Sequence, residues 1–255
     1  MRWSERQREM LHARGVRLFE PPAAVAPPPP DVAAPAALVR SQPSTAPAGA
    51  AGPAPAAIAS LRPEIATLDW PTLRDAVAGC QACALGQSRQ QTVFGVGHPR
   101  AHWMIVGEAP GEQEDRQGEP FVGPAGQLLD NMLRALGLTR DEAPPERQVF
   151  IANTLKCRPP RNRNPDPAET AQCAPFLERQ IALVQPRLIL AMGRFAAQAL
   201  LASDEPLGRL RGRMHRYRDV PVVVTYHPAY LLRTPADKAR AWEDLCLAAN
   251  IVQAS

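Results

Sequence analysis

"HWMIVG", His102 to Gly107, runs straight into "GEAPGEQEDRQGEPFVGPAG", Gly107 to Gly126. The first stretch is short and apolar enough to read as a buried strand. The second packs Glu108, Glu112, Glu114, Asp115 and Glu119 among five glycines and three prolines. A tight acidic loop at the end of a buried strand is where α/β proteins keep their chemistry. The bland counterpart is a solvated acidic turn, and that reading suits Glu112, Asp115 and Glu119.

Working outward, the same strand pattern recurs. "QVFIAN" (148–153), "RLILAMG" (187–193) and "VPVVVTY" (220–226) are further apolar runs. Between and after them stand the helical stretches "AGQLLDNMLRALG", "DPAETAQCAPFLERQIALV", "GRFAAQALLA" and "TPADKARAWEDLCLAANIV". Upstream, "LDWPTLRDAVAGC" reads as a helix capped by Asp69 with Pro71 in its first turn. Strands that are apolar throughout and alternate with helices predict an α/β fold, with a parallel sheet covered on both faces. Ligands in such folds sit beyond the carboxyl ends of the strands. Glu108, Asn153 and His227 each follow a strand, so the order of elements alone brings them to one edge.

The chain has 255 residues and a formal net charge of +4. No apolar run approaches the ~20 residues of a membrane span. The first twenty residues carry Glu5, Glu9 and Glu20 among their arginines, unlike a transit peptide, and they lack the pattern of a secretory signal. The expected location is the cytoplasm, with no membrane association. Residues 21–60 hold eleven prolines and fifteen alanines, with only Asp31 and Arg40 charged. That composition predicts a disordered linker. Residues 1–20 are a candidate amino-terminal helix, suited to docking a protein partner, and residues 61–255 form the folded domain.

Five cysteines complete the inventory. Cys80 and Cys83 form C-x2-C, while Cys157 and Cys173 flank "RPPRNRNPDP". Four thiols in a cytoplasmic chain favour metal ligation over disulfides. Spacing alone leaves zinc and an iron–sulfur cluster equally open. Cys246 sits among Trp242, Leu245 and Ala249 and reads as core.

The motifs "GEAPGEQED", "PFVGPAGQLL", "IANTLKCRPP" and "TYHPAYLLR", with C-x2-C before them and Cys173 after, resemble the family 4 uracil-DNA glycosylases over roughly residues 70–250. The resemblance implies a three-layer α/β/α domain with a four-stranded parallel sheet. It implies a structural 4Fe-4S cluster on Cys80, Cys83, Cys157 and Cys173, and a DNA-repair enzyme, expected to be a monomer. Such an enzyme flips uracil out of single- or double-stranded DNA and hydrolyses its N-glycosidic bond, leaving an abasic site. The alternative is an iron–sulfur DNA-binding protein that is non-catalytic, or that traps uracil covalently through a His on a basic loop, for which His215 is the candidate. A phosphate-binding enzyme using the Gly-rich loop is disfavoured, because acids crowd the loop and no Walker Lys follows.

The resemblance assigns Phe121 to stacking on the flipped base. Ala109 stands where the related family 1 loop "GQDPYH" has its water-positioning Asp. The base role therefore passes to Glu108 or Glu114, and Glu114 can instead crowd the C5 side of the base. Backbone N–H groups around Ala109 can face the uracil. The amide of Asn153 can accept from uracil N3–H and donate to O4. His227 can donate to O2 as negative charge develops there. The basic stretches around Lys156, Arg158, Arg161 and Arg163, and around Arg211 and Arg213, suit phosphate contact. Tyr230, Leu231 and Leu232 are candidates to wedge into the gap left by the base.

Overall fold

The structure, a computed structural model, describes residues 62–254. The candidate helix at 1–20 and the proline-rich stretch at 21–60 lie outside these residues. The domain opens with a 3-10 turn, Pro63–Thr67, and helix α1, Trp70–Ala78, whose N-cap Asp69 accepts from the Thr72 N–H at 3.0 Å. A cap of this kind contributes about 1 kcal/mol. A short α2, Leu85–Ser88, leads to β1, Val96–Gly97, and β2, Trp103–Gly107. The acidic loop then carries α3, Glu112–Gln117, and is followed by α4, Pro124–Ala135. Next come β3, Phe150–Asn153, the long α5, Pro167–Val184, β4, Leu188–Met192, and α6, Arg194–Leu201. A short α7, Leu207–Leu210, precedes the hairpin of β5, Met214–Tyr217, and β6, Val220–Thr225. Helices α8, Pro228–Arg233, and α9, Lys238–Gln253, close the domain. No helix among the described residues is long and apolar enough to cross a membrane.

The strand order is β1-β3-β2-β4-β6-β5. The inner four strands are parallel, as the apolar runs predict. The sheet has six strands rather than four, because β1 pairs antiparallel with β3 at one edge and β5 with β6 at the other. β1 is only two residues long and carries no periodic signal. The basic stretch "RLRGRMHRYR" supplies β5, whose residues alternate between exposed and half-buried. A charged edge strand of this kind also discourages sheet-to-sheet pairing.

β2, β3 and β4 are buried along their whole length, and their side chains alternate between two cores. Met104, Val106, Ile189 and Ala191 meet Leu73 and Val77 of α1, Phe176 and Ile181 of α5, and Ala197 of α6. Trp103, Ile105, Leu188 and Leu190 meet Leu129 and Leu133 of α4 and Leu245 and Ala248 of α9. This is the three-layer α/β/α arrangement. Burying one such side chain contributes roughly 1.5–3 kcal/mol.

Parallel register sets the functional edge. Gly107 pairs with Asn153 and Met192 with Thr225, so four strand ends finish side by side. The backbone continues the pairing past the strands: Thr154 N–H donates to Gly107 O at 3.0 Å and Gly193 N–H to Thr225 O at 2.9 Å.

Candidate active site

A cleft of about 790 Å³ opens at this edge. Glu108, Ala109, Phe121, Asn153, Arg194 and His227 line it, each from a strand end or the loop behind one. A second cleft of equal volume between α5, α6 and β5 contains none of the residues expected at the site.

Asn153 ends β3 and is 2% exposed. Its side-chain oxygen is buried and has no hydrogen-bond partner among the described residues. An orphaned buried acceptor costs about 1–3 kcal/mol, so its place on a cleft wall marks it for a donor on a ligand. Gly107 makes the room: a Cβ there would stand 2.4 Å from Asn153 Oδ1 and 2.6 Å from the Phe121 ring.

Phe121 is buried with a φ of 56°. A side chain in that left-handed region stores roughly 1–3 kcal/mol of strain. Gly126 permits it, because a Cβ at that position would fall 1.7 Å from Phe121 O. The strained backbone delivers the ring face-on to the His227 imidazole.

His227 is the N-cap of α8. Its Nδ1 accepts from the Ala229 N–H at 3.1 Å, which leaves the proton on Nε2. Desolvation lowers its pKa to about 4, with Arg233 acting in the same direction and Glu114 opposing. The ring is therefore a neutral donor at physiological pH. Glu108 is half-buried, and burial raises its pKa while nearby Arg194 lowers it. Its carboxylate makes no hydrogen bond to another described residue.

Glu114 differs from Glu108. Its two oxygens accept from the N–H groups of Gly111 and Val122 at 3.0 Å each, and of Gly123 at 3.4 Å. It staples the loop around the cleft it lines. Among the other acids, Glu112 pairs with Arg116, and Glu119 is exposed. Asp115 departs from the solvated reading: it is buried and accepts from the Gln90 N–H at 2.9 Å. One acid of the loop thus anchors the preceding segment, and another closes the loop on itself.

The basic residues divide. Arg161 and Arg213 are exposed, the latter 3.3 Å from Glu205. Arg158 is half-buried, bonded to Asn162 and 3.5 Å from Glu112. Arg163 pairs with Glu169. Arg211 is not a free phosphate ligand: its Nε donates to the fully buried Asp244 at 2.7 Å, and its guanidinium lies 4.2 Å from the Tyr226 ring centroid. Lys156 is likewise withdrawn from solvent, 1% exposed. Leu231 is 1% exposed and packs inward, so it cannot wedge into DNA, whereas Leu232 is 44% exposed. Tyr230 stacks on Tyr226 and donates to Asp237 at 2.6 Å. His215 lies on β5, with Nε2 2.7 Å from Leu210 O, and does not line the cleft.

Arg194 was missed in the sequence. It opens α6 immediately after β4 and lines the cleft beside Glu108. The strand-end rule that selects Glu108, Asn153 and His227 would have selected it too.

Cys80, at the end of α1, and Cys83, just beyond it, converge with Cys157 and Cys173. Cys83, Cys157 and Cys173 pack around Leu85 and Leu155, and Cys80 is close enough to act electrostatically on Cys157 and Cys173. Three of the sulfurs accept N–H bonds: Cys80 from Arg62 at 3.3 Å, Cys157 from Arg89 at 3.2 Å, and Cys173 from the Lys156 backbone at 3.3 Å. Burial pushes the Cys173 thiol up to about 12 and raises Cys157 as well. No group of three or more His, Cys, Asp or Glu among the described residues stands ready to hold one metal ion.

A doubly covered parallel sheet with a polar, aromatic cleft at its strand ends is an α/β scaffold built to take a small planar ligand. The family model "Uracil DNA glycosylase superfamily" matches residues 94–246. A type-4 uracil-DNA glycosylase of Sulfurisphaera tokodaii is 41% identical over 172 residues, 64% of this chain and 76% of its own. One of Pyrobaculum aerophilum is 40% identical over 188 residues, 71% of this chain and 93% of its own. The chain belongs to the uracil-DNA glycosylase superfamily, in its type-4 family.

Proposed function

We propose that the protein excises uracil from DNA by hydrolysing the N-glycosidic bond, the opening step of base excision repair. The observation that carries this reading is the orphaned, buried Oδ1 of Asn153 on the cleft wall beside Phe121 and His227. Uracil N3–H supplies the donor that this oxygen lacks, while the amide nitrogen donates to O4. Cytosine presents the reverse pattern and would leave both sides unpaired. Phe121 offers a ring face to the base. His227, neutral with its proton on Nε2, donates to O2 as the departing base gains negative charge. Uracil is a fair anion, so a neutral donor suffices. Glu108 faces the sugar, which becomes cation-like, and orients the attacking water. With both oxygens of Glu114 engaged by backbone donors, Glu108 is the freer carboxylate for this work. Arg158, Arg161 and Arg213, with Tyr230 and Leu232, are the DNA contacts of this reading.

Cys80, Cys83, Cys157 and Cys173 would hold the 4Fe-4S cluster. A 4Fe-4S cluster takes four cysteine thiolates, the number that this part of the domain brings together. The N–H donors on three sulfurs suit thiolates. The cluster supplies a cross-link between the end of α1, the segment after β3, and α5. The five cysteines form no disulfide with one another, which suits a reducing compartment and supports a cytoplasmic location.

The test uses purified protein with single- and double-stranded oligonucleotides carrying one uracil. Alkali-labile abasic sites are expected at the uracil. Binding without release, or a protein–DNA complex that survives denaturation, would replace hydrolysis with the non-catalytic or the covalent reading. Asn153→Asp should slow single-turnover cleavage by about 10²–10³, because the carboxylate cannot donate to O4 and repels the departing anion. Cleavage at the parent rate would remove Asn153 from base recognition.

A further inference from the structure

We infer that Lys156 is a positioning residue, which aims Asn153 at the base by holding its main-chain carbonyl and ties that carbonyl to the cysteine cluster. The inference rests on the reading of the cleft as a uracil site.

Asn153 ends β3 at the cleft, and Cys157 stands four residues further along the same segment. Between them the Lys156 side chain turns back into the protein. Its Nζ donates to Asn153 O at 2.8 Å and to Gln180 Oε1 at 2.7 Å. Gln180 is itself held, donating from Nε2 to Phe94 O at 2.8 Å. The Lys156 backbone N–H donates to Cys173 Sγ at 3.3 Å, and its carbonyl accepts from Val93 N–H at 2.8 Å. One residue therefore touches both the strand end that presents Asn153 and a cysteine of the cluster.

Asn153 needs such support. Its side-chain oxygen has no partner among the described residues, so the backbone beneath it sets the direction of the amide. Lys156 also carries an unusual burden. A fully buried ammonium is costly unless opposite charge lies near. No Asp or Glu forms an ion pair with it among the described residues. Filling the same space with an apolar side chain would avoid the cost, but it would release the Asn153 carbonyl.

The experiment measures the affinity of free uracil by calorimetry for the parent protein, Lys156→Met, Asn153→Ala and the double variant, with iron content checked for each. Asn153→Ala should weaken uracil binding. Lys156→Met, with iron retained, should weaken it about tenfold, the scale on which groups that orient a ligating side chain act. In the Asn153→Ala background, Lys156→Met should cost nothing further, because Lys156 acts only through the amide that Asn153→Ala has already removed. Additive losses, or full uracil affinity in Lys156→Met, would overturn the inference while leaving the uracil site intact. An Asn153→Ala protein that binds uracil as the parent does would overturn the reading of the cleft, and this inference with it. If Lys156→Met does not retain iron, Gln180→Met takes its place, since it frees Nζ on one side and leaves the cysteines alone. The same loss and the same non-additivity are then required.

Discussion

The ring of Phe121 lies stacked on the imidazole of His227, centroids 5.3 Å apart and planes 26° from parallel. The two residues come from loops more than a hundred positions apart. Each is held by a local constraint: Phe121 by its left-handed φ, and His227 by the bond its Nδ1 accepts from the Ala229 N–H as it caps α8. The pair is one wall of the cleft, and its geometry depends on glycines that leave it room.

Gly126→Ala tests that dependence. The added methyl would collide with the Phe121 carbonyl, so the ring must move. A misplacement near 1 Å can cost about 10²-fold in rate. We expect that loss in single-turnover cleavage, together with a loss of folding stability, because the clash is with backbone atoms rather than with a flexible side chain. Parent activity in this variant would show that the cleft does not need the stacked pair.

His227 and Glu108 should separate by pH. The folded-state pKa of His227 lies at about 4, below its ordinary 6.5. Between these values the unfolded chain binds the proton and the folded chain does not, so stability is lost as pH falls from 6.5 toward 4. His227→Gln should flatten that part of a urea-unfolding series. In the rate profile His227 stays neutral across the range, so the acid limb belongs to Glu108. Burial places that limb above the ordinary 4.5 of a glutamate, and Glu108→Gln should remove it along with most of the rate. An acid limb that survives in Glu108→Gln would move the role to another carboxylate.

Arg211 and Arg213 should behave as opposites, although they are two residues apart. Arg213→Ala should lower affinity for any DNA and reduce the salt slope by about 1. Arg211→Ala should leave the salt slope alone. It strands the buried Asp244 without its partner, a change that costs about 3–5 kcal/mol of stability. Unfolding curves and salt-dependent DNA titrations of the two variants separate the outcomes.

Purified protein should be brown and contain iron and acid-labile sulfide. Cys157→Ser should lose the cluster and unfold at lower temperature, because one ligand fewer unties α5 from the segment after β3. Arg89→Met should keep the fold yet release iron faster on exposure to air, since Arg89 donates to Cys157 Sγ and to the carbonyls of Cys80 and Ala78. Stoichiometric zinc with no iron, after anaerobic purification, would replace the cluster with a zinc site.

The layered fold, and the edge at which the chemistry sits, are legible in the linear order of residues. A strand buried on both faces must be apolar throughout, so "WMIVG", "VFIAN" and "LILAM" declare themselves without a partner in view. Parallel order then sends Glu108, Asn153 and His227 to the same end. The fate of the charged residues, by contrast, is settled only once the chain has folded. Asp115, Lys156 and Arg211 look like solvated surface in one dimension. Their partners, the Gln90 backbone, Gln180 and Asp244, stand 25, 24 and 33 positions away. Leu231 and Leu232 differ in burial for a related reason: helix α8 turns adjacent residues to different faces, and packing alone selects the inner one. Hydrophobic periodicity is local and survives in the sequence. A charge is hidden only by what folds over it, and that is set by contacts the linear order does not contain.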